Sequence, residues 1–489
     1  MNHNDGPPRI LHRRALPARG RLAALGPRAA LVRLAALGSL TLGALTVSFG
    51  AFAQQKTGPG IPEDESLTFH GITLYGVIDI GLQDETHGAP YSDFRPTQGI
   101  IVQKNSRGSV FGAAPNNEGQ SRVGLQGDEH LFGDWSAVFR VETFFNPQSG
   151  ELANSLKSIT SNNGRTTATS SVDYDGSSAG QAFQSAFVGL SSKAYGTLTF
   201  GRQLTILTDG AIKYDPNQDS SAFGLFGASG TYQGGGSTED KRLDSVAKYE
   251  VTIEDIVHVG ALYKFNGATG SENTAYQAVI GAAYGGASVD AFYSRVNDAI
   301  SASTLTAAQV ATLPNLGLSA ENSVAATVSN NTAYSLMGLY TLSQLKFYLG
   351  YEYIKYTNPT HALSAGFADI GGYILAVVNN SAYTEEKNLQ MYWTGVRYSV
   401  LPNLDLVGAY YGAHQGAYGT GALAGCTTKT SATCRGNLQD FSVQADYHFT
   451  RRFDGYVGSM YSGVHGGLAN GYTYQTTSIA STVGLRFKF

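Results

Sequence analysis

Residues 478–489 read SIASTVGLRFKF, and this stretch decides the fold. Its apolar residues recur at every second position and share one face: Ile479, Val483, Leu485, Phe487 and Phe489. Arg486 and Lys488 lie on the other face. Alternation with a period of two predicts a β-strand, and in a water-filled membrane barrel the apolar face meets lipid. Each basic side chain turned toward the middle of the bilayer would cost roughly 2–4 kcal/mol, so the register of this strand is fixed.

The same strand signal recurs along the chain, separated alternately by tight turns and by long polar stretches. Leu401-Pro402 and Thr450-Arg451 mark two of the tight turns. The sixteen predicted strands lie near residues 66–82, 119–128, 134–145, 180–192, 194–202, 241–251, 255–266, 274–284, 286–296, 332–342, 344–356, 388–400, 403–414, 438–450, 452–464 and 478–489. An even number closes a barrel with both ends on one side. The sequence therefore predicts an all-β fold, a transmembrane 16-stranded antiparallel β-barrel.

The composition agrees with strands that face lipid. Charged residues make up 14% of the chain, against about 25% in an ordinary soluble protein. Glycine and tyrosine are abundant, with 60 and 29 residues. The polar stretches would be too long for a compact soluble domain, whereas long outer loops are usual in outer-membrane barrels.

The first 53 residues resemble a secretory signal peptide. An apolar run from Leu34 ends in Ala51-Phe52-Ala53, which has the small residues of a cleavage site. An N-terminal membrane anchor is the alternative, since 20 uncharged residues could span a bilayer. The preceding basic segment contains Arg9, Arg13, Arg14, Arg19, Arg21, Arg28 and Arg33. Cleavage near Ala53 would leave one barrel domain, 54–489, with a net charge near −10, which argues against nucleic acid as a partner.

The two cysteines, Cys426 and Cys434, lie in a loop rich in glycine and threonine. In an exported protein, two cysteines this close are expected to form a disulfide. A zinc site is the alternative, but it needs two further ligands and no nearby pair of histidines offers them. We expect a disulfide that holds one loop, and neither a metal ion nor a cofactor.

Several short motifs, taken in order, resemble the Gram-negative general porins, especially the betaproteobacterial type. They are Thr73-Leu-Tyr-Gly-Val-Ile-Asp79, Ser121-Arg-Val-Gly-Leu125, Ala186-Phe-Val-Gly-Leu190, Gly196-Thr-Leu-Thr-Phe-Gly-Arg-Gln203 and Val483-Gly-Leu-Arg-Phe-Lys-Phe489. The resemblance implies a homotrimer in the cell outer membrane, in contact with outer-membrane lipid and lipopolysaccharide. It also implies that the third loop, about 203–240, folds inward, and that Phe489 belongs to the signal read by the barrel-assembly machinery.

The resemblance implies a pore constriction with basic residues on the wall and acids on the inward loop. The wall candidates are Arg122, Arg140, Arg202, Arg242 and Lys248, and the loop candidates are Asp209, Asp215 and Asp219. Arg202 shares its parity with apolar residues, so a bend at Gly201 is expected to redirect it. The alternatives are structural pairing of each arginine with an interior carboxylate, and solvated loop acids.

These features predict an outer-membrane porin, a water-filled channel for passive diffusion of small hydrophilic solutes and ions. A substrate-specific outer-membrane channel is the alternative. An adhesin or receptor barrel that uses its long loops is a third reading. An enzyme barrel is not expected, because none of the histidines His70, His258, His414 and His448 stands in a recognisable catalytic motif.

Overall fold

The computed structural model describes residues 66–88, 108–164, 182–218, 220–225, 242–265, 274–368, 370–383, 385–419, 432–472 and 474–489. The chain divides into two units, Met1–Ile61 and Pro62–Phe489, and only the second contains described residues. The predicted signal peptide and its cleavage site lie outside the described residues. No helix in the described part is long and apolar enough to cross a membrane.

The described residues form one antiparallel barrel with few helices. The strands are β1 (Thr68–Phe69), β2 (Ile72–Glu85), β3 (Val110–Pro115), β4 (Arg122–Phe132), β5 (Trp135–Phe144), β6 (Ser185–Ser192), β7 (Gly196–Leu204), β8 (Arg242–Ile253), β9 (Val257–Lys264), β10 (Ala275–Tyr284), β11 (Ala287–Ser303), β12 (Ser323–Leu342), β13 (Leu345–Thr357), β14 (Ile374–Asn379), β15 (Lys387–Leu401), β16 (Leu404–Gln415), β17 (Gly436–His448), β18 (Phe453–Gly466) and β19 (Thr477–Lys488). The helices are α1 (Ser155–Ser161), α2 (Ile206–Tyr214) and α3 (Ala307–Thr312), with 3₁₀ turns at Leu313–Leu316 and Gly467–Ala469.

The wall has the sixteen strands that the sequence predicts. β3 and β4 pair with successive parts of β2 and together make one wall strand. β1 folds back on β2, and β14 lies outside the wall as a parallel partner of β12. The barrel closes where β19 pairs with β2, with Arg486 opposite Asp79 and Val483 opposite Leu82. Short and long connections alternate along these antiparallel wall strands, so the tight turns, such as 133–134 and 285–286, share one side of the barrel, as the sequence predicts.

The alternation predicted for residues 478–489 is confirmed. Leu485 and Phe487 are exposed on the outer surface, while Ser478, Ala480 and Thr482 are buried on the inner side. Across the closing seam the amide of Gln83 donates to Thr482 at 2.9 Å. Successive residues of this strand thus face lipid and the barrel interior in turn. A shift of one residue would exchange the two faces, so the register is fixed.

Two parts of the wall differ from the predicted segments. The hairpin β11–β12 is longer, and the second wall strand is broken at 116–121 between β3 and β4. At this break the carboxylate of Asp79 accepts hydrogen bonds from the backbone N–H groups of Glu118, at 2.6 Å, and Gly119, at 2.9 Å. The extra residues are therefore held inside the barrel by a buried acid on the neighbouring strand.

The long hairpin takes part in a structure that we call the outer cap, formed by α1, β14 and the outer parts of β11 and β12. Leu156 and Ile159 of α1 are buried against Ile300, Val324 and Leu375. The loop that carries α1 joins the third and fourth wall strands, whereas the hairpin joins the ninth and tenth. The hairpin therefore reaches across the outer mouth to a distant part of the rim.

The side chain of Asn163 helps to fasten the outer cap. The side-chain oxygen of Asn163 accepts from the N–H of Leu305 at 2.7 Å, and its amide nitrogen donates to the carbonyls of Ala320 at 2.8 Å and Ser323 at 2.7 Å. Hydrogen bonds of this kind satisfy backbone groups that no sheet partner reaches.

The lipid-facing surface gives a first testable prediction, which uses two outward positions of β17. Val443 is exposed near the middle of the strand, and Gln439 is exposed nearer the outer loops. We expect Val443→Arg to lower the free energy of unfolding in lipid vesicles by about 2–4 kcal/mol, and Gln439→Arg by about 0–1 kcal/mol, because the cost of a charge falls toward the interface. Denaturant titration in vesicles measures both. Equal effects of the two substitutions would contradict the assignment of this face to lipid.

Candidate functional site: a constricted pore

The loop between β7 and β8 enters the barrel as helix α2. Thr205 caps the helix, because its hydroxyl accepts from the N–H of Thr208 at 3.1 Å. The N–H of Leu207 donates to the side chain of Gln277 at 3.2 Å, and the hydroxyl of Tyr214 lies 2.7 Å from that of Ser288. These partners belong to β10 and β11, so α2 lies along the inner surface of the wall.

A small residue allows the helix to approach the wall. A Cβ atom at Gly210 would lie 2.3 Å from the ring of Phe292, which is closer than two carbon atoms can come. Phe292 belongs to β11 and faces inward, where it is almost fully buried. Glycine at this position therefore lets the helix backbone lie directly against an aromatic side chain of the wall.

After α2 the loop continues to the far wall. The indole N–H of Trp393 donates to the carbonyl of Tyr214 at 3.0 Å, and the guanidinium of Arg397 donates to the carbonyl of Pro216 at 3.1 Å. The hydroxyl of Tyr411 donates to Asp215 at 2.6 Å. These side chains come from β15 and β16, which lie far round the ring from β7 and β8. The expected inward fold of the third loop is thus present in the described residues, and the loop divides the bore.

The end of the described loop reaches the break in the second wall strand. The hydroxyl of Ser220 donates to the carbonyl of Asn117 at 2.7 Å, and the N–H of Ala222 donates to the same carbonyl at 3.0 Å. The ring of Phe223 packs edge-on against Tyr456 at 6.4 Å. Residues 221–224, at this end of the described loop, are therefore used for packing.

Between the inward loop and the wall lies a cavity of about 530 Å³, which we call the pore cavity. Its charged lining, among the described residues, consists of Arg122, Lys213, Arg242, Arg486, Lys488 and Glu118. Five of these six side chains are basic. One of the basic groups, Lys213, comes from the inward loop itself, so that both sides of the pore cavity carry positive charge.

The structure brings together two of the five predicted wall residues. Arg122 and Arg242 line the pore cavity and flank one carboxylate, Glu142, at 3.5 Å and 3.9 Å. The guanidinium of Arg242 also lies 4.5 Å from the ring centre of Phe144, a cation–π distance. Glu142 therefore lies between two guanidinium groups and holds both at the wall, and the Phe144 ring supports that of Arg242.

Arg140, Arg202 and Lys248 are not among the described residues that line the pore cavity. Arg140 donates to Gln126 at 2.9 Å, and Arg202 is buried and donates to Asp244 at 2.5 Å. Lys248 lies 3.1 Å from Glu250. Arg140 and Arg202 therefore pair with neighbouring side chains of the wall, whereas Lys248 also pairs with Asp209 of the inward loop, so that one predicted wall base meets a predicted loop acid.

The strand does contain an irregularity at Gly201, as the sequence predicts. The register between β7 and β8 shifts between Gly201 and Gln203, and Gly201 has a φ of +130°. A Cβ atom at Gly201 would lie 2.2 Å from the carbonyl oxygen of Ala186. Arg202 follows this point but turns to Asp244, on the adjacent part of β8, and does not turn toward the pore cavity.

The three predicted loop acids have different surroundings. Asp209 pairs with Lys248 across the gap between α2 and β8. Burial raises the pKa of the Asp209 carboxyl, although Lys248 opposes that shift. Asp215 is fully buried; it accepts from Tyr411 and from the N–H groups of Asn217 and Leu225, both at 3.2 Å, so it anchors the loop. Asp219 lies outside the described residues.

Four of the six charged lining residues were missed by sequence reasoning. Arg486 and Lys488 had been placed on the inner face of β19, and that placement could have nominated them. Lys213 stands in a loop whose helix was not predicted, and Glu118 lies at the unexpected break in the second wall strand. Burial lowers the pKa of Lys213, but its contacts with Tyr214 and Asp290 outweigh that effect and the net shift is upward, so the ammonium group keeps its charge.

Only one of the two predicted disulfide partners, Cys434, is among the described residues. Cys434 is buried and is not a free cysteine. Cys426 lies outside the described residues, so the disulfide between them stays a prediction.

Comparison with known proteins identifies the family. The sequence pattern described as Gram-negative porin matches residues 38–467. An outer membrane porin protein of Bordetella pertussis is 27% identical over 228 residues, which are 47% of this chain and 48% of that protein. The chain therefore spans about half the length of the curated relative that it matches.

Two solved structures share the fold. An anion-selective porin from Comamonas acidovorans covers 86% of this chain and 99% of its own, with a TM-score of 0.55 and 14% identity. OmpT of Vibrio cholerae, in a trimer form, covers 86% of this chain and 99% of its own, with a TM-score of 0.52 and 15% identity. At such identities the likeness concerns the fold alone. Together with the family match and the closed 16-strand wall, these findings place the chain in the Gram-negative porin family, whose barrels lie in the outer membrane.

Proposed function

We propose that this protein is an outer-membrane channel for passive diffusion of small hydrophilic solutes and ions, with a preference for anions. The observation that carries the proposal is the charge of the pore cavity, where five of six charged lining residues are basic. Selection in such a channel depends on pore diameter and on the charges at the narrowest section. Both the family and the fold point to a channel and not to an enzyme.

The preference for anions follows from charge on both sides of the passage. Arg122 and Arg242 stand on the wall, and Lys213, whose ammonium group pairs with Asp290 at 3.0 Å, lines the cavity from the inward loop. A solute in this cavity lies close to several cations whichever side it follows. At 4 Å a single pair of unit charges contributes about 1 kcal/mol even in bulk water, which is about a fivefold change in occupancy. Facing acids on the loop would oppose this effect, but Asp215 is fully buried and Asp209 is paired with Lys248.

Size selection follows from the inward loop. It is bound to β10 and β11 through α2, to β15 and β16 through residues 214–217, and to the break in the second wall strand through Ser220. A loop bound at several points round the ring has a fixed position, so it sets the cross-section of the open part of the bore.

Assembly as a homotrimer belongs to the same proposal. One structural neighbour, OmpT of Vibrio cholerae, is described in a trimer form, and the outer surface of this barrel carries many exposed apolar side chains. Such a surface needs lipid or another copy of the chain to cover it. Outer-membrane lipid, lipopolysaccharide and the barrel-assembly machinery are proposed partners on the same basis.

We propose the assembly role of Phe489 and the export signal as further parts of this function. The N–H and the carbonyl of Phe489 both pair with Gly76, at 3.1 Å and 2.9 Å, which supports a role for this residue at the closing seam. Removal of residues 1–53 by signal cleavage near Ala53 is consistent with the outer-membrane location of the family. Mass spectrometry of the purified protein would give the position of cleavage.

The decisive measurement is the reversal potential of the purified protein in a planar bilayer that separates two potassium chloride concentrations. We expect stepwise conductance and a reversal potential with the sign set by chloride. If conductance is stepwise but the reversal potential has the sign expected for potassium, the anion preference alone is refuted. Absence of conductance would refute the channel itself. Block that saturates with one class of solute would instead favour a substrate-specific channel.

A further inference from the structure

A second charged site lies on the inner surface of the barrel, where β17 pairs with β18. Asp446 and His448 are two residues apart on β17 and face inward, and Asp454 of β18 is the register partner of His448. One ligand atom from each of these three side chains lies within 4.8 Å of the other two. The pairing of the strands therefore brings an imidazole and two carboxylates to one point.

The two carboxylates divide their oxygen atoms in the same way. Oδ2 of Asp454 accepts from Arg486 at 2.8 Å and from Lys488 at 2.6 Å, while its Oδ1 lies 2.8 Å from Nδ1 of His448. Oδ2 of Asp446 accepts from Arg486 at 3.3 Å. The basic residues thus bind one oxygen of each acid from behind and leave the other oxygen directed at the histidine.

One of these directed oxygens lacks a donor. Oδ1 of Asp446 is buried and has no hydrogen-bond partner among the residues that the structure describes. Its nearest charged neighbour in the site is Nδ1 of His448, at 4.0 Å. A buried carboxylate oxygen normally has a partner, so this oxygen is available to a ligand that enters from the bore.

The distances suit a metal ion. Zinc binds histidine nitrogen and carboxylate oxygen at about 2.1 Å, so two of its ligand atoms can be at most about 4.2 Å apart. The separations of 2.8 Å and 4.0 Å from Nδ1 of His448 fall within that limit, and all three ligand atoms lie within 4.8 Å of one another, so that a small movement of one carboxylate would complete the coordination. The contacts of Arg486 and Lys488 correspond to the outer-shell hydrogen bonds that orient the carboxylates of metal sites.

We propose that Asp446, His448 and Asp454 form a binding site for a divalent transition-metal cation of the zinc type on the wall of the channel. The mixed nitrogen and oxygen ligands favour zinc over calcium and magnesium, which prefer oxygen alone. A bound ion would add two positive charges beside Arg486 and Lys488, both of which also line the pore cavity.

Calorimetric titration of zinc chloride into the purified, folded protein in detergent tests the site without any measurement of transport. We expect one saturable site per chain, and an excess of calcium chloride should not displace the zinc. His448→Gln and Asp446→Asn should each weaken zinc binding at least about tenfold, since even outer-shell changes cost about 10–100-fold. Retained heat-modifiable migration on gels would show that the variants are folded.

The matched control is His258→Gln. His258 also faces inward between two carboxylates, Glu250 at 3.7 Å and Asp290 at 3.9 Å, but these three do not converge on one point as the proposed ligands do. Zinc affinity should stay within about twofold of that of the unaltered protein in this variant. Absence of saturable binding, displacement by calcium, or equal loss in His258→Gln and His448→Gln would each overturn the proposal. None of these results would bear on the channel itself.

Discussion

Asp215→Ala should release the inward loop and give a channel with higher and noisier conductance. Asp215 is fully buried and accepts hydrogen bonds from the hydroxyl of Tyr411 and from the N–H groups of Asn217 and Leu225. The substitution leaves three donors without their acceptor, at a cost of about 1–3 kcal/mol for each buried group that stays unpaired. These donors regain partners when the loop moves away from the far wall into water, and that movement widens the passage.

Single-channel recording in planar bilayers measures this effect, with Asp209→Ala as the control. Asp209 stands in the same loop, but its partner Lys248 belongs to β8, next to the point where the loop begins. The control variant should keep a mean conductance near that of the unaltered protein. If Asp215→Ala left both the conductance and the current noise unchanged, the buried anchor would not be what holds the loop.

The double variant Arg122→Gln/Arg242→Gln should move the reversal potential strongly toward that of potassium. The two arginines line the pore cavity and flank Glu142, so their removal takes away two positive charges and leaves a carboxylate uncompensated. At about 1 kcal/mol per charge at 4 Å, the ratio of chloride to potassium permeability should fall roughly fivefold for each charge removed.

Arg140→Gln is the matched control for that experiment. Arg140 also faces the interior, but it bonds to Gln126 at 2.9 Å and does not line the pore cavity among the described residues. The same change of charge there should shift the reversal potential by much less. A shift in the control as large as in the double variant would mean that the whole bore, and not the constriction, sets the selectivity.

The wall of the barrel is predictable from sequence because lipid and water impose opposite demands on successive residues. In β19 this contrast is sharp, with Leu485 exposed to lipid and Thr482 buried inside. In the outer part of the hairpin β11–β12 the contrast disappears, since Ser329, Asn330 and Asn331 are small or polar on both faces. The alternation of apolar and polar residues therefore does not reveal the outer part of this hairpin, and the sequence predicted a loop there.

The pore cavity was harder to predict because its chemistry depends on partners far apart in the chain. The alternation placed Arg486 on the inner face, but its partner Glu118 is 368 residues away and lies in an unpredicted break. Asp215 stands in the inward loop as expected, yet Tyr411, 196 residues later, occupies its carboxylate. A sequence shows which residues enter the loop, while the contacts across the bore decide which of them meet a solute.

The outer cap has a consequence for how other molecules meet the cell surface. Its buried face joins Leu156 of one loop to Val324 and Leu375 of two others, and Asn163 ties the first loop to the second. An antibody or a bacteriophage that binds here contacts a conformational epitope built from three separate stretches of chain. A synthetic peptide from one loop would lack the two stretches that pack against that loop in the outer cap. The folded barrel is therefore the better antigen.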